Sequence, residues 1–104
     1  MYKVEYLPNA SQEIVEIVQY IAEMLHSPAA ADNILEKFDE GAKSLRDLPH
    51  RCPVVELIEP FKQQMNGEYR KLNVDNYVML YNINESEKIV TITRVIYNRR
   101  NYKA

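Results

Sequence analysis

The sequence is short of several things, and each shortage excludes something. It has a single cysteine, Cys52, so no internal disulfide can form. That usage suits a reducing cytoplasm. It has only two glycines and no low-complexity run, and no linker or repeat can be read along it. No apolar stretch approaches the roughly 20 residues of a membrane span. The opening MYKVEYLPNA lacks the apolar run of a signal peptide. A soluble cytoplasmic protein without membrane contact is expected. Histidine is scarce too: His26 and His50 lie far apart, and with one cysteine they fall short of a zinc ligand set. No metal and no cofactor are expected. Cys52, between Arg51 and Pro53 with no histidine placed to activate it, reads as an inert side chain.

What is present is globular. The 104 residues are 46% apolar and 27% charged, enough for one domain, 1–104, with a single core. The net charge of −2 hides an asymmetry. Residues 1–61 carry five Lys/Arg against eleven Asp/Glu, and residues 62–104 carry eight against four. The first part is therefore −6 and the second +4. A basic second half points to a polar partner, although a solvated surface of uneven charge has the same composition.

YKVEYL (2–7) alternates apolar and polar residues and predicts a short strand ended by Pro8. Asn9 then reads as a helix cap, with Gln12 reaching back. Ile14, Ile17, Val18, Ile21, Met24 and Leu25 recur at helical spacing, with Glu13, Glu16, Gln19 and Glu23 largely on the other side. Ser27 and Pro28 open a second helix whose stripe is Ala31, Ile34, Leu35, Phe38, Ala42 and Leu45, stopped by Pro49. So short a break predicts an antiparallel helix hairpin over 10–25 and 28–47. Residues 49–66 read as a loop with room for a short strand at 54–58. Three strands follow, 67–74, 77–83 and 88–97, as an antiparallel meander. Both faces of 77–83 are apolar, which places that strand centrally. The order β-α-α-β-β-β is an α+β fold, a helix hairpin packed on an antiparallel sheet with 2–7 paired alongside.

Three stretches carry a family resemblance: SPAAADNILEKF opening the second helix, EYRKLNVDNYVMLYNI across two strands, and RVIYNRRNY near the end. In this order and at this length they resemble the RelE/ParE superfamily of toxins from bacterial toxin–antitoxin modules. The resemblance covers nearly the whole chain. It implies a small cytoplasmic toxin neutralised by a cognate antitoxin. Its target would be the ribosome and messenger RNA for RelE and YoeB types, which are endoribonucleases, or DNA gyrase for ParE types.

From Glu59 to Tyr97 the chain looks alignable without gaps to a YoeB-type nuclease. EPFK resembles that subfamily's EPLK, which puts Glu59 in the general-base position and Tyr97 in that of a functional terminal tyrosine. Two other positions fail. The nuclease pattern needs an arginine in the central strand, where this chain has Val78, and a histidine where it has Ile96. Ribose 2′-OH attack on phosphorus builds negative charge that a site must meet with fixed positive charge and a proton donor. Valine and isoleucine offer neither. If the chain is a nuclease, Arg70 and Arg94 would have to substitute beside Glu59 and Tyr97. An apolar residue in that strand is what ParE types carry, and a pI near 5.7 is poor support for a ribosome-bound nuclease. The favoured reading is therefore a ParE-like toxin that acts by binding gyrase. A ribosome-dependent nuclease and a non-toxic relic that still binds antitoxin are the alternatives.

The residues expected to meet antitoxin or target are Arg94, Tyr97, Arg99, Arg100, Tyr102 and Lys103. Tyrosines interleaved with charges are the chemistry of binding hot spots. Arg94 lies mid-strand with Val90, Ile92 and Ile96 read on its own face, where a charge needs a partner; a structural salt bridge is its other reading. Arg70 and Lys71 point to opposite faces of their strand.

Overall fold

The computed structural model describes residues 1–64, 67–100 and 102–103. Five strands, β1 (Lys3–Tyr6), β2 (Val54–Val55), β3 (Tyr69–Val74), β4 (Tyr77–Asn84) and β5 (Ile89–Tyr97), form one sheet. Helices α1 (Pro8–Gln19) and α2 (Pro28–Ser44) form the hairpin, and a single turn, α3 (Phe61–Gln64), follows β2. The sheet order is β1-β5-β4-β3-β2. The strand predicted to be central is the middle one. Every pairing is antiparallel except β1 with β5, which is parallel because the hairpin carries the chain across between its two helices and back to the far strands.

Two cores flank the sheet. On the hairpin side, Ala10, Ile34, Phe38, Ala42 and Leu45 meet Val74, Met79, Tyr81, Val90, Ile92 and Val95. On the back, Leu57, Phe61 and Tyr102 cover Tyr69, Val78, Leu80 and Ile96. Alternation along β4 supplies both cores from one strand, so β4 is apolar on both faces. Gly41 sets how close α2 comes to the sheet. A Cβ there would stand 3.2 Å from Leu72 Cδ2 and 3.4 Å from Val74 Cγ2. The hairpin turn between β3 and β4 needs Asp75 at φ 52°, a left-handed conformation that aspartate tolerates.

Several expectations are corrected. Helix α1 begins at Pro8, not after a capping Asn9; Leu7 is the N-cap residue and no side chain caps it. Proline fits the first helical position as readily as it ends a strand. α1 continues as a π-helical turn, Tyr20–Met24, and there Met24 and Leu25 stay exposed. Leu35, expected in the core, is 46% exposed. The stripe on α2 is wider than the strip that touches the sheet. The strand expected at 54–58 is two residues long, and beyond it Leu57 makes a single bridge to Lys103. β3 begins at Tyr69 rather than 67, and part of the loop read over 49–66 lies outside the described residues.

The largest departure is in β5. Leu80 pairs with Arg94 but Tyr81 pairs with Ile92, so Thr93 is an extra residue, a β-bulge. Its hydroxyl donates to Leu80 O at 3.1 Å. The slip turns Val95 toward the hairpin with Val90 and Ile92, and Ile96 toward the back. Arg94 therefore does not share a face with Val90 and Ile92.

Candidate functional site

The bulge creates the site's central feature. β1 covers β5 only from Ile89 to Ile92. Beyond that, Glu13 of α1 takes over. Its carboxylate accepts from the Val95 backbone N–H at 2.9 Å and from Arg94 Nε and a terminal Arg94 nitrogen at 2.8–3.1 Å. Both side chains are largely buried. A bidentate carboxylate–guanidinium pair of this kind fixes orientation as well as energy. The Arg94 guanidinium also lies 5.1 Å from the Phe61 ring centroid, and so does that of Arg100.

A cleft of about 360 Å³ opens beside this pair, between α1, the Pro60–Phe61 turn and Arg100. Gln12, Glu13, Glu16, Phe61, Arg94 and Arg100 are among its walls. An adjoining cavity of about 270 Å³ shares Glu13, Glu16 and Arg100 and adds Ile17, Tyr20, Tyr77 and Tyr97. Together they make a groove that is charged at one end and aromatic at the other. At the aromatic end Phe38, Tyr77 and Tyr97 form a chain of edge-to-face contacts, at 5.7 and 5.8 Å, running from the core to the surface. Tyr97 and Tyr20 are exposed. Burial, then the nearby Tyr97 and Tyr20 phenols, raise the Tyr77 pKa above the usual tyrosine value.

Arg99 and Arg100 lie at the surface just past β5. Tyr102 and Lys103 are tethered. The backbone N–H of Ile58 donates to Tyr102 O at 3.0 Å, and Lys103 bridges Leu57. Tyr102 is 1% exposed in the back core. The expectation that it lies on a binding surface is corrected: its ring fills the space over Val78, Leu80 and Ile96. Lys103 is exposed and adjoins Lys71, whose pKa falls below the ordinary lysine value because of that neighbouring ammonium first and desolvation second.

Of the four residues considered for nuclease chemistry, Arg70 lies away from the cleft, whose walls include Arg94 and Pro60, the neighbour of Glu59. Glu59 is exposed in the turn before α3. Arg70 lies on the hairpin side of β3, donating to His50 O at 3.0 Å and Cys52 O at 2.7 Å. It clamps the 49–53 loop. Tyr97 faces Tyr77, also on the hairpin side. Arg94 reaches Phe61 and Glu13. Val78 and Ile96 are 0% and 3% exposed, inside the back core.

Glu13 and Phe61 are absent from the sequence-derived set. Glu13 reads as one carboxylate of a polar helix face, and its partner lies 81 residues away. Phe61 follows a proline in a segment without period; an aromatic in such a loop is a signal for an anchor, but not for where it lands. Among the described residues no group of three His, Cys, Asp or Glu could hold a metal ion, and no helix is long and apolar enough to cross a membrane.

The structure is similar to the chromosomal ParDE toxin–antitoxin system of P. aeruginosa, with TM-score 0.69 and 16% identity over 93% of this chain and 96% of that one. It is also similar to the RelE–RelB complex of Pyrococcus horikoshii OT3, with TM-score 0.59 and 16% identity over 95% and 97%. A third is the toxin–antitoxin complex RelBE2 of Mycobacterium tuberculosis, with TM-score 0.60 and 20% identity over 92% and 96%. No curated protein matches the sequence. At such identities the structures speak for the fold alone. The family model "ParE toxin of type II toxin-antitoxin system, parDE" matches residues 4–102. With nearly the whole chain matched, it belongs to the ParE toxin family of type II toxin–antitoxin systems.

Proposed function

We propose that this toxin acts in the cytoplasm by binding its target, DNA gyrase, rather than by cutting RNA, and that a cognate antitoxin neutralises it. One observation carries the choice. The two positions where the nuclease pattern needs an arginine and a histidine hold Val78 and Ile96, and both are sealed in an apolar cluster with Phe61 and Tyr102. A phosphate could reach that place only if the cluster came apart. Removing one charge-stabilising group from a site of this kind costs about 10²–10³ in rate. Here two are missing.

The antitoxin reading is supported by the family and by the neighbours, which are toxin–antitoxin complexes. Arg99, Arg100 and Lys103 give the C-terminal end its positive charge, and the exposed Tyr97 supplies rigid apolar area beside them. An acidic tail that orders on binding would be drawn to this end at a rate set by charge, while the tyrosine and desolvated arginines hold it.

Purified toxin incubated with gyrase, ATP and plasmid is expected to trap cleaved DNA. Programmed ribosomes are expected to give no site-specific cut in the A site. A cut that Glu59→Gln abolishes would overturn the reading.

A further inference from the structure

The sheet ends on β1, and the outer side of that strand has no neighbour among the described residues. β1 runs parallel to β5, and the N–H groups of Lys3 and Leu7 donate to Lys88 O and Ile92 O at 2.9 Å. In a strand the N–H and C=O of one residue point the same way, and successive residues alternate. Residues 3, 5 and 7 therefore bond inward, and Val4 and Tyr6 turn their backbone groups away from the sheet. Tyr2 is tied elsewhere: its N–H donates to Arg46 O at 2.8 Å, so the open edge begins at Val4. Such a row of outward donors and acceptors is a template for another strand.

The side chains along the edge identify the strand that fits. Tyr2-Lys3-Val4-Glu5-Tyr6 has the same order of chemical types in both directions, aromatic, charged, apolar, charged, aromatic, with its two charges opposite in sign. Tyr2 and Val4 pack on the hairpin-side core. Lys3 and Glu5 therefore share the back face, where they stand 3.3 Å apart and exposed. Edges carrying like charges repel a copy of themselves. Here two copies running antiparallel, with Val4 opposite Val4, bring each Lys3 opposite Glu5 of the second copy and each Tyr2 opposite a Tyr6. Val4 makes the hydrogen-bonded pair, because its backbone groups point outward. The Lys3–Glu5 positions beside it are non-hydrogen-bonded, where facing side chains lie closest. The register that sets Glu5 opposite Glu5 puts like charges face to face. At the end of the strand Tyr6 and Leu7 are exposed, and Tyr6 shares a cavity wall with exposed Leu35, which adds apolar area.

We propose that the free toxin pairs with a second copy of itself through antiparallel β1–β1 contact, in the register that sets Val4 opposite Val4. The two-fold axis stands across the sheet, so two five-stranded sheets become one continuous sheet with both hairpins on the same face. β1 and β5 are parallel, so the C-terminal ends with Tyr97, Arg99 and Arg100 leave the pair in opposite directions. Each copy keeps that surface open, and the dimer presents two. One short strand buries little area, so the dimer is weak and forms and parts with concentration.

Sedimentation velocity of the purified toxin without antitoxin, from about 5 to about 300 µM at low salt, should show monomer passing into dimer. Lys3→Glu lines the shared edge with carboxylates only, and Glu5→Lys lines it with ammonium groups only. Each alone should weaken the dimer by about tenfold or more. An equimolar mixture of the two variants should form a heterodimer, because every facing pair is again opposite in sign. Lys3→Glu combined with Glu5→Lys should dimerise as wild type does. Both side chains are exposed, so far-UV circular dichroism should be unchanged in every variant. Amide exchange at Val4 and Tyr6 should slow as concentration rises. A monomer throughout the range, a dimer indifferent to both single substitutions, or variants that fail to pair when mixed would overturn the proposal. So would a dimer whose added exchange protection falls outside β1, which would assign the contact to another face.

Discussion

Glu13→Ala strikes the toxin where α1, the bulge and the C-terminal end meet. The substitution removes the carboxylate from Arg94 and leaves the Val95 N–H without its acceptor. Breaking a buried ion pair by deleting one member costs about 3–5 kcal/mol, and an orphaned buried donor about 1–3. These penalties overlap. Both side chains keep some water contact, and the Phe61 ring still shields the guanidinium. A net loss of about 2–4 kcal/mol is expected. Glu13→Gln keeps an acceptor for Val95 and should cost about half as much. Urea unfolding with an unchanged m-value is the assay, and for a domain of this size the Ala variant should lower Tm by at least about 8 °C. Arg94→Met in the Glu13→Ala background should show a coupling of about 1–3 kcal/mol. A Glu13→Ala cost below about 1 kcal/mol, the median worth of a surface pair, would refute the lock.

Three further outcomes follow from burial and from the pKa directions. Leu80→Ala should cost about 2–5 kcal/mol, while Leu35→Ala, despite its place in the helical stripe, should cost less than about 1; equilibrium unfolding of both checks the pair. Tyr102→Ala should cost about 3–5 kcal/mol, whereas Arg99→Ala with Arg100→Ala should leave stability within about 1. The same measurement would expose a frayed tail if Tyr102→Ala were silent. The Tyr81 phenol donates to Pro49 O at 2.6 Å, and burial first, then Cys52, raises its pKa far above the tyrosine norm. The unfolded chain thus gives up that proton at lower pH than the folded one. The stabilisation is full below about pH 10 and declines as pH climbs beyond the unfolded value. Tyr81→Phe should flatten the alkaline limb of a stability–pH curve.

Much of the architecture is legible because it is periodic. The two-faced apolar run of β4 announces a central strand, and the helical stripes announce a hairpin with one side on the sheet. What escapes the sequence is non-local or slips by one residue. The bulge at Thr93 changes which of Val95 and Ile96 faces the helices, and nothing in TRVIY marks it. Pro8 serves two local grammars, strand end and helix start, and only the packed chain selects one. Tyr102 follows two arginines and reads as a polar tail, because its burial depends on the 57–61 loop meeting it from 40 residues away. The Arg94 ion pair is foreseeable as a need, since a mid-strand guanidinium wants a carboxylate, but its donor of charge is among the first residues of α1. The charge asymmetry between the two parts of the chain is fully legible, and the proposed C-terminal binding surface descends from it.

The most direct test of a toxin that binds rather than cuts is induction of this chain in cells without antitoxin, following DNA-damage signalling and message integrity in the same culture. The account predicts filamentation and DNA-damage signalling while messages stay whole, with the same outcome for Glu59→Gln. Immediate arrest of translation with cleaved messages, lost in Glu59→Gln, would contradict it.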